Sequence, residues 1–180
     1  MDFIRLTAPA APEFETAFAL YEVSFPVHEQ RTRPAQAARL SHPEYRYMLL
    51  YEGDQFQGIL LYWGGPGFRY VEHFAIAPEL RGGGVGARAL AELCSQGIPV
   101  ILEIDPPVDE ISVRRQHFYE RCGFSKNPFP HVHPPYRKGF QGHPLVVMSA
   151  PGALTQEAYD RFARYLQNTV MSDCVPPLEE

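Results

Sequence analysis

The chain has 180 residues, of which 45% are hydrophobic, and it carries a formal net charge of −5 with an isoelectric point near 5.8. This length predicts one domain with a sizeable core, and the acidic balance weighs against a nucleic-acid partner or an anionic membrane surface. No apolar run approaches the roughly 20 residues that cross a membrane. Residues 1–14 lack the basic and apolar regions of a signal peptide, and the three cysteines, Cys94, Cys122 and Cys174, are widely spaced. These features predict free thiols and a cytoplasmic location.

The first part of the chain is predicted to contain two helices and three strands. In order, these are a strand at Phe3–Leu6, helices at Pro12–Val23 and Ala35–Leu40, and strands at Tyr45–Tyr51 and Phe56–Trp63. Pro26 and the His42–Pro43 pair follow the two helices and end them, because proline does not continue a helix. This order differs from the repeating β–α alternation of a doubly wound nucleotide-binding domain.

The stretch Tyr70–Leu93 joins an apolar strand to a glycine cluster and a helix. Tyr70–Ala77 is rich in β-formers, and apolar residues recur at helical spacing from Val85 onward. Each glycine costs about 1 kcal/mol against alanine inside a helix, so the glycines between these elements predict a loop. Free N–H groups and the helix dipole meet where such a loop enters a helix. The stretch therefore predicts an anion site, most often for phosphate.

Two phosphate ligands are compatible with this loop. Residues Gly84–Ala89 fit the dinucleotide-binding pattern G-x-G-x-x-A, and Glu103 lies near where an acidic ribose partner is expected. Against a dinucleotide, that pattern needs its first glycine at the end of the strand, and here Ala77–Arg81 intervenes. A P-loop is disfavoured because no Lys-Ser/Thr follows the glycines. The other ligand is the pyrophosphate of an acyl-CoA.

The rest of the chain is predicted to alternate between helices, strands and loops. Gly97 stops the central helix, a strand follows at Val100–Ile104, and a helix at Ile111–Cys122 ends at Gly123. Further predictions are a strand opened by Phe124, loops at His131–Pro135 and Gly139–Gly142, a strand at Leu145–Met148, an amphipathic helix at Thr155–Val170 and a flexible tail at 172–180.

Two blocks of sequence resemble the GNAT superfamily of acyl-CoA-dependent N-acyltransferases. Arg81–Gly86 fits the pattern R-x-x-G-x-G, and Phe118–Phe124, read FYERCGF, resembles the F-Y-E-x-x-G-F block of that superfamily. The resemblance implies a single GNAT domain over residues 1–171. Its expected fold is α/β, with a mixed, twisted central sheet, helices on both faces and a cleft between two splayed strands.

The resemblance also implies an activity, the direct transfer of an acetyl group from acetyl-CoA to a primary amine in a ternary complex. The acceptor would be a small molecule or a peptide, and acidic residues near the predicted cleft favour a cationic one. Two other classes stay open: a non-catalytic acyl-CoA-binding sensor of the same fold, and a dinucleotide-binding enzyme. No metal cofactor is predicted, and the oligomeric state is open between a monomer and a homodimer.

Two segments are expected to hold acetyl-CoA through main-chain groups. They comprise Phe74, Ala75 and Ile76 for the pantetheine arm and the acetyl oxygen, and Arg81, Gly82, Gly83, Gly84, Val85, Gly86 and Ala87 for the pyrophosphate. In the family, a β-bulge often lies beside the first segment. Ser112 stands where the family often has an asparagine that contacts CoA, so we expect a cofactor contact there.

Tyr119, the tyrosine of the second block, is the candidate general acid, because a phenol with an ordinary pKa of about 10 suits the return of a proton to a thiolate. The candidate general bases are Glu72, Glu103 and His73, in that order. Strand alternation predicts that Glu72 and His73 point to opposite faces of the sheet, so that only one of them reaches the cleft.

A histidine-rich segment is expected to line the acceptor pocket. His131, His133 and Tyr136 lie in this segment, and His73 is predicted to join them from the central strand. The H-x-H spacing of His131 and His133, with His143, also fits a metal site. No carboxylate or cysteine pattern accompanies it, and the prediction remains a pocket without a metal.

Overall fold

The structure is a computed structural model that describes residues 1–174. Its strands are β1 (Asp2–Leu6), β2 (Tyr45–Glu52), β3 (Gln55–Gly65), β4 (Phe68–Ile76), β5 (Val100–Ile104), β6 (Ser125–Lys126), β7 (Val132–His133), β8 (His143–Pro144) and β9 (Val146–Ala150). Its helices are α1 (Glu13–Ser24), α2 (Arg33–Arg39), α3 (Val85–Ser95), α4 (Glu110–Arg121) and α5 (Gln156–Tyr165). Single 3₁₀ turns lie at Val27–Glu29 and Pro78–Leu80, and a π-helical turn lies at Leu166–Val170. None of the helices in residues 1–174 combines the length and the apolar character needed to cross a bilayer.

Seven strands form one mixed sheet in the order β1-β2-β3-β4-β5-β9-β6. All neighbours are antiparallel except β4 and β5, which are parallel. The short pair β7–β8 forms a second sheet in the segment that was predicted to be loop. The main elements lie within about two residues of their predicted bounds, which is the usual uncertainty of helix and strand ends.

Each face of the sheet carries a hydrophobic core under its own helices. On one face, aromatic side chains of α1 and α5 pack on β2, β3 and β4, and the members include Phe14, Phe18, Tyr21, Tyr47, Trp63, Phe162 and Tyr165. On the other face, α3 packs through Ala89, Leu90 and Leu93 on Leu50, Leu60, Val71 and Leu102. Successive strand residues such as Leu49 and Leu50 enter opposite cores, as the two-residue period of a strand requires.

The two parallel strands separate after a short paired stretch. β4 and β5 pair only where Arg69–Val71 faces Val100–Leu102. Beyond that point β4 continues to Ile76, and β5 continues to Ile104 while pairing with β9 on its other edge. The divergence leaves main-chain groups of both strands unpaired with each other, and it opens the cleft that holds the site described below.

A β-bulge lies at the start of this divergence. The register between β3 and β4 shifts, with Leu61 opposite His73 and Tyr62 opposite Val71. Glu72 is therefore an extra residue without a partner on β3, and a bulge interrupts side-chain alternation. As a result, Glu72 and His73 both lie on the α1 face: Glu72 bonds the Trp63 indole, and the His73 ring lies 4.8 Å from that of Tyr21. The prediction of opposite faces is wrong, because alternation holds only where pairing is regular.

Strands β3 and β4 approach closely at Gly58. A Cβ atom added there would overlap the carbonyl oxygen of Ala75 and lie 3.0 Å from the Cα of Ile76. We expect Gly58→Ala to lower the free energy of unfolding by about 1–3 kcal/mol, because an inserted methyl forces the backbone apart. Gly64→Ala on the same strand is the matched control, since its nearest atom would be 3.7 Å away. Urea unfolding of the two variants measures this effect. Equal losses of unfolding free energy in both would contradict the expectation.

The end of the described chain packs against the domain. Thr155 caps α5 by accepting a hydrogen bond from the Ala158 amide (3.2 Å), and the π-helical turn runs on into a turn that reaches Cys174. The Asp173 carboxylate lies 3.3 Å from the buried Arg31 guanidinium. Residues 172–174, predicted as flexible, are thus held by a charge pair that no local pattern indicates. The rest of the predicted tail, 175–180, lies outside the described residues.

Candidate active site

A cavity of about 910 Å³ lies where β4 and β5 diverge. Its walls come from the ends of these strands, the glycine loop before α3, one face of α4, the Val27–Glu29 turn and the β7–β8 segment. A cavity of this size is in the range that holds cofactors and small substrates.

The glycine loop forms one wall with its backbone. Gly84 has φ +76° and directly precedes α3, and Gly82 has φ +83°, so both need the left-handed conformation that glycine adopts without strain. Within residues 1–174, no side chain caps this helix. Its first N–H groups are therefore free to bind an anion. Of the predicted loop residues, Gly83 alone lies outside the cavity wall, and its carbonyl accepts a hydrogen bond from Arg88 (3.1 Å).

The predicted pantetheine segment, Phe74–Ile76, forms the adjoining wall. These residues lie beyond the paired part of β4 and β5, directly after the bulge at Glu72. Gly86 lies beneath them, and a Cβ there would come within 3.5 Å of the Phe74 ring and 3.3 Å of the Phe118 ring. The arrangement gives a ligand access to main-chain groups along one edge of β4.

Tyr119 projects from α4 into the cavity wall. Its ring packs against Phe118 and Phe124 at centroid distances of 5.2 and 5.8 Å. No group in the described part of the chain hydrogen-bonds its hydroxyl. Burial raises the pKa of Tyr119 to about 12, so the phenol is protonated at neutral pH and able to donate.

Glu72, the first candidate base, has both carboxylate oxygens occupied. Oε1 pairs with the Arg31 guanidinium, and Oε2 accepts a hydrogen bond from the Trp63 indole (2.8 Å). The side chains of Glu72 and Arg31 are both 0% exposed. Burial raises the pKa of Glu72, but the Arg31 charge and these hydrogen bonds outweigh it and leave the pKa lowered. The structure therefore contradicts the first choice of base, because this carboxylate resists protonation.

Glu103 is also held by several donors. Tyr70 donates its hydroxyl hydrogen to one oxygen, the His131 Nε2 bonds the other, and the His133 Nε2 lies 3.7 Å away. Burial raises the pKa of Glu103, whereas the two histidines and Tyr70 lower it, and the net direction is down. His131 turns away from the cavity, and its Nδ1 lies 3.0 Å from the Tyr159 hydroxyl. His131 is thus a partner of Glu103, and its predicted place in the acceptor pocket is corrected.

His73, His133 and Tyr136 do line the cavity. The His73 Nε2 donates a hydrogen bond to the main-chain oxygen of Glu29 (2.8 Å), and burial lowers the pKa of His73 to about 4. The His133 Nδ1 donates to the Pro134 carbonyl (2.6 Å), and its ring stacks on Tyr136 at 4.8 Å. These residues form an aromatic wall beside the bulge.

Ser112 does not contribute to the cavity wall. Its amide donates to the Asp109 carboxylate (2.8 Å), and its hydroxyl accepts the amide hydrogens of Val108 and Asp109 (3.1 Å each). This reciprocal arrangement is a capping box at the start of α4. The cap occupies the side chain of Ser112, so its CoA contact stays a prediction that the capping geometry does not support.

Glu29 is the cavity residue that sequence reasoning missed. It lies in the 3₁₀ turn before α2, its side chain is 23% exposed, and no hydrogen bond to its carboxylate is formed within residues 1–174. The Nε2 atoms of His28 and His143 lie 3.6 and 3.8 Å from its Oε1. In the described part of the chain, this trio alone brings three potential metal-ligand atoms within 4.8 Å of one another. The predicted H-x-H pair instead faces Glu103.

Three comparisons place this geometry among known proteins. Residues 14–124 match the model of the Acetyltransferase (GNAT) family. One similar protein of known structure is a candidate acetyltransferase of the GNAT family from Bacteroides thetaiotaomicron. Its sequence is 30% identical to this chain, and the two structures superpose with a TM-score of 0.88, covering 94% of this chain and 98% of the other. A Bacillus subtilis acetyltransferase whose crystal structure contains CoA shares only the fold with this chain. The sequence identity is 13%, and the TM-score is 0.57, covering 82% of this chain and 95% of the other.

A curated relative is similar over a shorter stretch. YjbC, a candidate acetyltransferase of Bacillus subtilis (strain 168), is 27% identical over 103 residues. The match covers 56% of this chain and 52% of the relative, so the chain spans about half the length of the curated relative that it matches.

Proposed function

The chain belongs to the acetyltransferase (GNAT) family, as its two motifs predicted, and we propose that it transfers the acetyl group of acetyl-CoA to a primary amine. One observation carries the proposal. The N-terminus of α3 and the hydroxyl of Tyr119 line the same cavity between two diverging strands, and neither has a side-chain partner within residues 1–174. The first feature suits a pyrophosphate, and the second suits a leaving thiolate. The CoA bound to the Bacillus subtilis fold neighbour is in keeping with this ligand.

The reaction forms a C–N bond and an S–H bond, and it breaks a C–S bond and an N–H bond. The amine nitrogen attacks the thioester carbonyl carbon, the C–N bond forms, and the C–S bond then breaks with its electron pair on sulfur. In the proposed step, main-chain N–H groups of the segment Phe74–Ile76, which lines the cavity, stabilise the charge that develops on the carbonyl oxygen. Tyr119 gives its proton to the departing thiolate and recovers one from water.

The positions of the cysteines favour direct transfer over an acyl-enzyme. Cys94, Cys122 and Cys174 all lie outside the cavity wall. Burial raises the pKa of the Cys122 thiol, which weakens it as a nucleophile. A ternary complex is therefore the proposed route, and free thiols agree with the proposed cytoplasmic location.

The charges around the cavity differ between its walls. Arg81, Arg114, Arg115 and Arg121 line the side formed by the glycine loop and α4. Glu29, Glu103 and Asp105 line the side near the bulge. Asp105 pairs with Arg115 (2.7 Å), so the acidic charge of this side rests mainly on Glu29. A cationic wall suits the phosphates of CoA, and an acidic wall concentrates amines, so a cationic acceptor is proposed.

The test of the cofactor is thermal unfolding with acetyl-CoA, CoA or NAD in large excess. A ligand at about 100 times its Kd adds roughly 2.7 kcal/mol, which corresponds to a rise in Tm of roughly 5–11 °C for a chain of this size. We expect the two CoA species to stabilise the protein and NAD to leave Tm unchanged. A shift with NAD alone would mean that the dinucleotide interpretation of the glycine loop is right.

A second measurement separates an enzyme from a sensor of the same fold. Thiol release from acetyl-CoA, followed with a chromogenic disulfide, should increase when a primary amine is added. A sensor would show the same rise in Tm with acetyl-CoA but no amine-dependent thiol release.

A further inference from the structure

We propose that Glu29 is the general base of this transfer and that His28 carries the abstracted proton to solvent. The inference rests on the proposed amine acetylation. It assigns a catalytic role to a residue of the turn before α2, after the structure has shown that both glutamates predicted from the sequence are engaged elsewhere.

The backbone of this turn is fixed while the carboxylate is left free. The Glu29 amide donates to the Pro26 carbonyl (2.9 Å), and the Glu29 carbonyl accepts from His73 (2.8 Å). One residue further on, Arg137 donates to the Gln30 carbonyl (2.8 Å). The carboxylate itself lies in the cavity wall and bonds no donor in residues 1–174. A base needs this combination of a fixed position and a vacant lone pair.

The charged groups that face Glu29 come from four elements. They are His28 on its own turn, His143 on β8, Glu103 and Asp105 at the end of β5, and Arg115 on α4. Burial and then Asp105 raise the pKa of Glu29, while His28 and Arg115 lower it, and the net direction is up. The pKa values of Glu103 and Glu72 are lowered instead. Glu29 therefore accepts a proton more readily than either of them.

A route for the proton leads outward. The His28 Nε2 lies 3.6 Å from the Glu29 Oε1, and the His28 side chain is 45% exposed. In the proposed step, an N–H bond of the acceptor's ammonium form breaks, its electron pair stays on nitrogen for the attack, and an O–H bond forms at Glu29. The imidazole of His28 then takes this proton and releases it to water. Tyr119 supplies the separate proton that the thiolate receives, and the nitrogen loses its second proton to water as the amide forms.

The test uses Glu29→Gln with four acceptors: butylamine, 1,4-diaminobutane, 4-aminobutanoate and a peptide with a free N-terminus. With the best of them, we expect kcat at neutral pH to fall by about 10²- to 10⁴-fold, as for loss of a general base. The deficit should shrink toward about pH 10, where an alkylamine loses its proton without help. Binding of acetyl-CoA and the melting temperature should stay unchanged. Glu22→Gln, an exposed glutamate of α1 outside the cavity, is the matched control.

Each other outcome has a defined meaning. A loss of equal size at every pH would overturn the base assignment and indicate a structural role. Retained activity in Glu29→Gln would overturn it as well. Wild-type activity that disappears with EDTA and returns with a divalent metal would make Glu29 a ligand, and the proposal would be wrong. If the wild-type protein acetylates none of the acceptors, the proposed function fails, and this inference fails with it.

Discussion

Replacing Tyr119 with phenylalanine should lower kcat by about 10²- to 10⁴-fold and leave the Kd of acetyl-CoA nearly unchanged. The phenol is the one group on the α4 wall that we assign to proton donation, and loss of a general acid costs this much. Phenylalanine preserves the ring that packs on Phe118 and Phe124. The thiol-release assay gives kcat, and titration calorimetry gives the Kd.

Tyr62→Phe is the matched control for this prediction. Tyr62 is also a half-buried tyrosine, but it lies outside the cavity, with Arg69 above its ring at 5.6 Å. We expect its kcat to stay within about two-fold of wild type, since surface changes away from the chemistry have small effects. A Tyr119→Phe protein with full activity would exclude the phenol as the acid. A protein with normal kcat but much weaker acetyl-CoA binding would assign Tyr119 to cofactor binding.

Replacing Arg31 with methionine should destabilise the protein by about 3–5 kcal/mol, because it leaves the carboxylate of Glu72 buried without a charged partner. The Arg31 side chain is 0% exposed and pairs with Glu72 and Asp173. It also donates to the Val170 carbonyl (2.6 Å). One side chain thus connects the β4 bulge to the last described turn. Urea unfolding measures the loss.

Two further variants decide how this loss arises. Arg33→Met removes an exposed ion pair with Glu15, and such pairs contribute about 0–1 kcal/mol, so little change is expected. The double change Arg31→Met with Glu72→Gln should recover part of the stability, because it removes the unpaired buried charge. Equal effects of Arg31→Met and Arg33→Met, or no recovery in the double variant, would contradict the account.

Local patterns were sufficient for the elements that carry the proposed cofactor site. The glycine cluster before an amphipathic stretch predicted the loop and the start of α3 at Val85, where the structure has it. The FYE block placed Tyr119 on a helix, and that helix forms a wall of the cavity. Both depend on backbone propensity and residue spacing, which act over a few neighbouring residues.

The base and the acceptor wall depended on contacts that sequence spacing does not encode. His73 joined Glu72 on the α1 face because a bulge, a property of the pairing between β3 and β4, displaced the alternation. His131 points away from the cavity because it hydrogen-bonds Glu103, which lies on strand β5. Nothing in the local pattern around Glu29 distinguished it from an ordinary polar loop residue.

The sequence by itself thus indicated the family, because two motifs resemble that family's own. Short-range preferences determined the order of most elements, the glycine loop and the helix that carries Tyr119. Only the tertiary structure decided that Glu72 and Glu103 are held by donors and that the Glu29 carboxylate accepts no hydrogen bond from residues 1–174. The physical reason is that the pKa and the orientation of a buried carboxylate are set by the groups folded around it. For Glu72, Glu103 and Glu29, most of those groups come from distant parts of the chain.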